Sequence, residues 1–215
     1  MNSTVPSADQ PKQSTRSARI TRTTGETSVD VHVDLDGTEK IIDIATGVGF
    51  YDHMLHQLGK HGGFDLKIKV DGDLHIDAHH TMEDTAIALG QAFAEALGDK
   101  AGVVRFADAS VPLDEVLARA VVDLSGRPYM VHEEPIDIAP MINTDYPTSM
   151  TRHVLESFAH HAKICLHVSV LRACNPGQKP DAHHVIEAQF KALARALKAA
   201  TRIDGEDIPS TKGVL

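Results

Sequence analysis

The sequence predicts an α+β protein, internally duplicated, with two similar sheet-plus-helix halves packed through their helix layers. Alternating apolar and polar residues mark strands in both halves, and Ala- and Leu-rich runs at helical spacing mark helices. The segment Asp-Ala-His-His-x-x-Glu occurs at 77–83 and again at 181–187, each time leading into such a helix. An ordered segment that recurs with its flanking pattern indicates duplication. Two amphipathic sheets must each bury one face, and a helix layer is the available cover.

Taken in order, residues 1–18 are polar and rich in Ser, Thr, Gln and Pro. They lack the apolar stretch of a targeting segment and read as a disordered tail. The first half-repeat spans 19–100. Strands are expected at 19–25 and 27–36, where Val29, Val31, Val33 and Leu35 alternate with polar residues. Asp36-Gly37 predicts a hairpin turn into a third strand at 39–46. Residues 50–61 read as a helix stopped by Gly62-Gly63, 64–75 as a strand, and 80–97 as a long helix. The second half-repeat spans 101–205, with strands near 116–124, 128–134 and 164–172 and helices near 148–162 and 183–202. Residues 206–215 are expected to be a tail that closes over a ligand. His53 aligns with His153, a shift of 100, and His79 with His183, a shift of 104. A short insertion therefore lies between, within 174–182.

Composition narrows the function. The chain has 215 residues, a formal charge of −9 and only two cysteines. Acidity disfavours nucleic acid, and no apolar run reaches the roughly 20 residues of a membrane span. Two cysteines give no disulfide framework and suggest a reducing, cytoplasmic setting. The fourteen histidines are spread through patterned segments rather than gathered in a tract, and histidine is a frequent metal ligand.

The repeated segment has metal-ligand spacing. Residues three and four apart share a helix face, while neighbours diverge by about 100°. Glu83 can join His79 or His80 on one ion, and the other histidine points elsewhere. Glu187 with His183 and His184 repeats the arrangement. His53 and His153, each from the preceding helix of its half, are expected to complete the set of that half. Nitrogen and oxygen donors without thiolate suit Mn, Fe, Co, Ni or Zn. His160-His161 has no Glu at the matching offset and is read as structural. His32, His75 and His132 are read as surface or packing residues.

Five segments together carry a family resemblance: GVGFYDHMLHQLGKHGGFDL (47–66), DAHHTMEDTAIALG (77–90), VPLDEVLARAVVDLSGRP (111–128), HHVIEAQFKALARAL (183–197) and PSTKGVL (209–215). With these, the chain resembles the imidazoleglycerol-phosphate dehydratases of histidine biosynthesis over about residues 17–215. One departure is the link ACNPGQKPDAHH, where the family has a shorter GxNxHH turn. The resemblance implies Mn²⁺, two ions per active site, held by His53, His79, His80, Glu83, His153, His183, His184 and Glu187. It implies a shell of 24 subunits with sites between them. It places substrate contacts on Glu26, His53, Arg105, Arg127, Lys191, Ser210 and Lys212; His61, eight residues after His53 on the same helix, is a further candidate.

The implied reaction is a hydro-lyase step, loss of water from imidazole glycerol phosphate to give imidazole acetol phosphate. The hydrogen to be lost is not acidic, because no carbonyl stands beside it. A ring made anionic by two divalent ions can expel the neighbouring hydroxyl as a diazafulvene forms, and the adjacent hydrogen then becomes acidic. Glu26 is the candidate acid–base group. Arg105 and Arg127 offer forked donors for a phosphate. The alternatives are a dinuclear metallohydrolase of a phosphorylated substrate and a metal-storage module, which would not need Arg105, Arg127 or the Ser-Thr-Lys-Gly tail.

Overall fold

The computed structural model describes residues 16–135 and 137–215. The first half runs β1 (Ser17–Thr23), β2 (Thr27–Asp34), β3 (Ile42–Ala45), α1 (Gly49–Gly62), β4 (Asp65–Gly72), α2 (His79–Leu97). The second runs β5 (Phe106–Leu113), β6 (Val116–Asp123), β7 (Tyr129–Glu133), a small β8 (Met141–Ile142) and β9 (Tyr146–Pro147) pair, α3 (Met150–His161), β10 (Cys165–Arg172) and α4 (Ala182–Ala200). Each half forms a four-stranded sheet, ordered β1-β2-β4-β3 and β5-β6-β10-β7. In both, the last pairing is parallel and the others antiparallel. The duplication read from the histidines is thus a duplication of topology.

Two expectations need correction. β3 does not form a hairpin with β2, because β4 lies between them. Gly37 does turn the chain, at φ 58° with no room for a Cβ against the Gly63 carbonyl. The segment beyond it is then claimed by the buried Asp65. Its carboxylate accepts from the N–H of Glu39 at 2.7 Å and of Ile41 at 2.8 Å. That contact seats β3 parallel on β4. The second correction is at the start: β1 begins at Ser17, inside the segment expected as a tail, while residues 1–15 lie outside the described residues. β5 was not expected at all. Its residues alternate only between exposed and half-buried, so the pattern carries little hydrophobic contrast.

The core lies between the sheets. α2 covers β1 and β2, and α4 covers β5 and β6. The remaining helices cross over: α1 packs on α4 and α3 on α2. Val29, Val31 and Val33 of β2 and Ala118, Ala120 and Val122 of β6 face this helix layer fully buried. Each large apolar side chain so buried contributes about 1.5–3 kcal/mol. The crossover of α1 and α3 decides which histidines meet. No helix among the described residues is long and apolar enough to cross a membrane.

Candidate active site

Each long helix opens with its histidine pair, and the i,i+4 relation selects the first histidine. On α4, His183 Nε2 lies 2.9 Å from Glu187 Oε2, and His53 Nε2 of α1 approaches the same oxygen at 3.2 Å. On α2, His79 Nε2 lies 3.9 Å from Glu83, and His153 Nε2 of α3 lies 2.9 Å from it. The donor atoms within each trio lie within 4.8 Å of one another. The expected assignment of upstream histidines is therefore reversed. His53 joins the second half's set, and His153 joins the first half's, because α1 packs on α4 and α3 on α2.

Electrostatics distinguish the two trios. Glu187 is buried, which alone would raise its carboxyl. Hydrogen bonds from Lys191, His183 and His53 outweigh that and hold it at about 2. Lys191 Nζ is 2.7 Å from Glu187, one turn further along the same face of α4. Phe50 stands edge-on to His183 with centroids 5.0 Å apart, fixing one wall of that trio. Two imidazoles and a carboxylate per trio, all nitrogen and oxygen donors, fit a divalent transition ion.

The second histidines turn away, as a divergence of about 100° requires. His80 Nδ1 is 2.9 Å from Asp73, and His184 Nδ1 is 3.0 Å from Glu115. His80 is raised above the ordinary histidine range, chiefly by the hydrogen bond to Asp73. Burial works to lower His184, but the Glu115 bond and the nearby carboxylates raise it overall. Glu26, exposed in the β1–β2 turn, stands 3.7 Å from His80 Nε2. Asp73 and Glu115 were missed in the sequence; their only signal there is position at a strand end.

The expected phosphate contacts gather elsewhere. The guanidinium of Arg105 is committed: Nε donates to Asp123 at 2.7 Å and Nη1 to the Pro209 carbonyl at 2.7 Å. Its fork therefore ties the C-terminal tail to β6, beside the groups expected to meet the phosphate. Ser210 folds into a turn, accepting from the Lys212 N–H at 3.2 Å, while Arg127 and Lys212 are exposed. His61 lies near the end of α1, bonded to Gln57 at 3.1 Å. Burial, then Lys191 and Arg195, push its imidazole below the ordinary range.

The family model for imidazoleglycerol-phosphate dehydratase matches residues 46–197. The chain is 64% identical over 203 residues to the imidazoleglycerol-phosphate dehydratase of Salinispora tropica, covering 93% of this chain and 99% of that one. The chain belongs to the imidazoleglycerol-phosphate dehydratase family. It is 61% identical to the member from Streptomyces coelicolor, over 93% of this chain and 99% of that one. The solved member from Staphylococcus aureus superposes with a TM-score of 0.75 at 33% identity, covering 87% of this chain and 99% of that one. The member from Pyrococcus furiosus, solved in complex with (S)-C348, gives 0.76 at 33% identity over 91% and 100%. The chain is thus a hydro-lyase of this family, and the metallohydrolase and storage readings fall away.

Proposed function

We propose that this chain dehydrates imidazoleglycerol phosphate to imidazole acetol phosphate in histidine biosynthesis, in the cytoplasm, with two Mn²⁺ ions per active site. The carrying observation is the pair of His-His-Glu trios, one built on α2 and one on α4. A substrate ring with two similar nitrogens suits a site with two similar metal-binding units. His53, His183 and Glu187 would hold one ion, and His79, Glu83 and His153 the other. His80 and His184 would each add a further nitrogen. When bound, the ions supply Lewis acidity that makes ring deprotonation accessible near neutral pH.

The protein's own groups do the rest. Glu26, with its carboxylate beside His80, would move the proton at the substrate carbons. Lys191 balances the charge of Glu187 and can reach a bound anion. Arg105, Arg127, Ser210 and Lys212 would receive the phosphate, with Arg105 also holding the tail in place and His61 beside the substrate.

Within one chain these parts are far apart. Arg105 N bonds to the Ala200 carbonyl at the end of α4, and Glu187 lies about 20 Å up that helix at roughly 1.5 Å per residue. That separation supports sites shared between subunits of a homo-oligomer, for which the family resemblance implies 24 copies. Phe106, Tyr129 and Leu171, exposed at 59%, 65% and 56%, supply apolar surface for such contacts.

The test is turnover of imidazoleglycerol phosphate by chelator-stripped protein with Mn²⁺ added back. Appearance of the ketone product only with the ion is expected, and absence of product under both conditions refutes the proposal. Glu26→Gln is expected to lower kcat by about 10²–10⁴-fold with metal content intact. Near-normal turnover would remove Glu26 from the proton-transfer role.

A further inference from the structure

We propose that Asp73 and Glu115 are positioning residues: each holds Nδ1 of the second histidine of a pair, leaving Nε2 of His80 and His184 as the metal-coordinating atom. This rests on the reading of His80 and His184 as ligands. A neutral imidazole carries one N–H, and the partner of that N–H decides which nitrogen keeps its lone pair. Asp73 Oδ2 meets His80 Nδ1 at 2.9 Å, and Glu115 meets His184 Nδ1 with both oxygens, at 3.0 and 3.2 Å. At Nε2 the nearest carboxylates stand off, Glu26 at 3.7 Å and Asp114 at 3.8 Å. Both histidines therefore present a free Nε2 away from the trios of their own helices.

The two contacts are alike, but their sources are not equivalent under the duplication. Glu115 directly precedes β6, and the matching residue before β2 is Glu26, which does not touch Nδ1. Asp73 directly follows β4, and the matching residue after β10 is Ala173. A contact merely inherited through duplication would recur at the same position. Here one geometry is reached from two different strand ends, which points to a requirement on the imidazole rather than on the scaffold. Asp73 also keeps Oδ1 buried without a hydrogen-bond partner. Such burial is unfavourable and offsets part of what the His80 contact contributes to stability.

The experiment titrates Mn²⁺ into the chelator-stripped full-length protein and reads the free ion by electron paramagnetic resonance. Asp73→Ala and Glu115→Ala are each expected to weaken binding by about 10–100-fold. Asp73→Asn and Glu115→Gln keep an acceptor for Nδ1–H and are expected to recover most of the affinity. The ¹⁴N couplings of bound Mn²⁺ are expected to lose one imidazole contribution in the alanine variants and regain it in the amides. Full affinity in the alanine variants overturns the proposal. His80→Ala and His184→Ala separate it from the ligand reading. Loss there, with none in Asp73→Ala or Glu115→Ala, defeats positioning alone; loss in neither defeats the ligand reading and positioning with it. A wild-type ion that disappears in Glu115→Ala and does not return in Glu115→Gln makes Glu115 itself a ligand, and its positioning role fails.

Discussion

Glu187 receives two imidazoles and one ammonium, and the three together hold a buried carboxyl at about 2. Because His53 and His183 both meet one oxygen of it, they should serve the same ion. Metal counting on the purified variants tests that pairing. His53→Ala and His183→Ala are each expected to lower the Mn²⁺ content from about two to about one per chain, and combining them should remove nothing more. His53→Ala with His79→Ala should remove both ions. A double variant of His53 and His79 that still keeps one ion would restore the within-half pairing. The second histidines give a pH dependence. His80 and His184 are both raised by their carboxylate partners. In the metal-free chain, those pairs stabilise the fold below the ordinary histidine range and are lost as pH rises through the raised values. Ion binding needs deprotonated imidazole and strengthens in the same direction. The melting temperature of loaded protein should therefore pull away from that of metal-free protein between about pH 6 and pH 8. A gap that stays constant across that range contradicts the assignment.

Among the elements, the α2–α3 contact sets the geometry of the first trio. A Cβ at Gly90 would meet the Phe158 carbonyl at 2.7 Å and the Ala162 nitrogen at 2.9 Å, both backbone atoms. Alanine favours a helix by about 1 kcal/mol over glycine, but overpacking costs typically 1–3 kcal/mol. Since backbone cannot swing aside, Gly90→Ala is expected to lower stability by about 1–3 kcal/mol. It should weaken the ion held by His153 and Glu83 more than the one held by His53 and Glu187. Equal weakening of both ions, or a rise in melting temperature, would show that the interface yields. This is also the scale at which the sequence was least legible. Period and caps placed α1 to α4 and most strands within a few residues, since each buries one clear face. They did not show that α1 crosses onto α4, because crossing is decided by complementary surfaces from distant segments. For the same reason the eight ligand candidates could be named, but His53 and His153 were assigned to the wrong trios. β3 was misplaced because the hairpin signal at Asp36-Gly37 is local, while Asp65 acts from 24 to 26 residues away. The resemblance supplied the phosphate contacts, but the bonds of Arg105 to Asp123 and the Pro209 carbonyl join segments too distant in sequence to be read from it.

Across the whole molecule, the two halves place similar chemistry at one end of the helix layer and the anchored tail at the other. The Ala200 end of α4 holds Arg105 and, through it, Pro209, while its first turns hold His183 and Glu187. A substrate much shorter than that helix cannot touch both ends of one chain. If the site draws its metal trios from one copy and its phosphate grip from another, two kinds of damage should complement. Glu187→Gln removes a metal ligand, and Lys212→Ala removes a phosphate donor; each alone should be inactive or nearly so. In oligomers assembled from equal amounts of both, about one quarter of the shared sites receive an intact trio from one neighbour and an intact tail from the other. Turnover of mixed assemblies, formed by co-expression and purified through two different tags, is therefore expected to approach a quarter of wild type. Mixtures as inactive as the parents would mean that one chain brings both ends to the substrate. Such an outcome would require the tail to leave its seat against Arg105 and travel the length of α4.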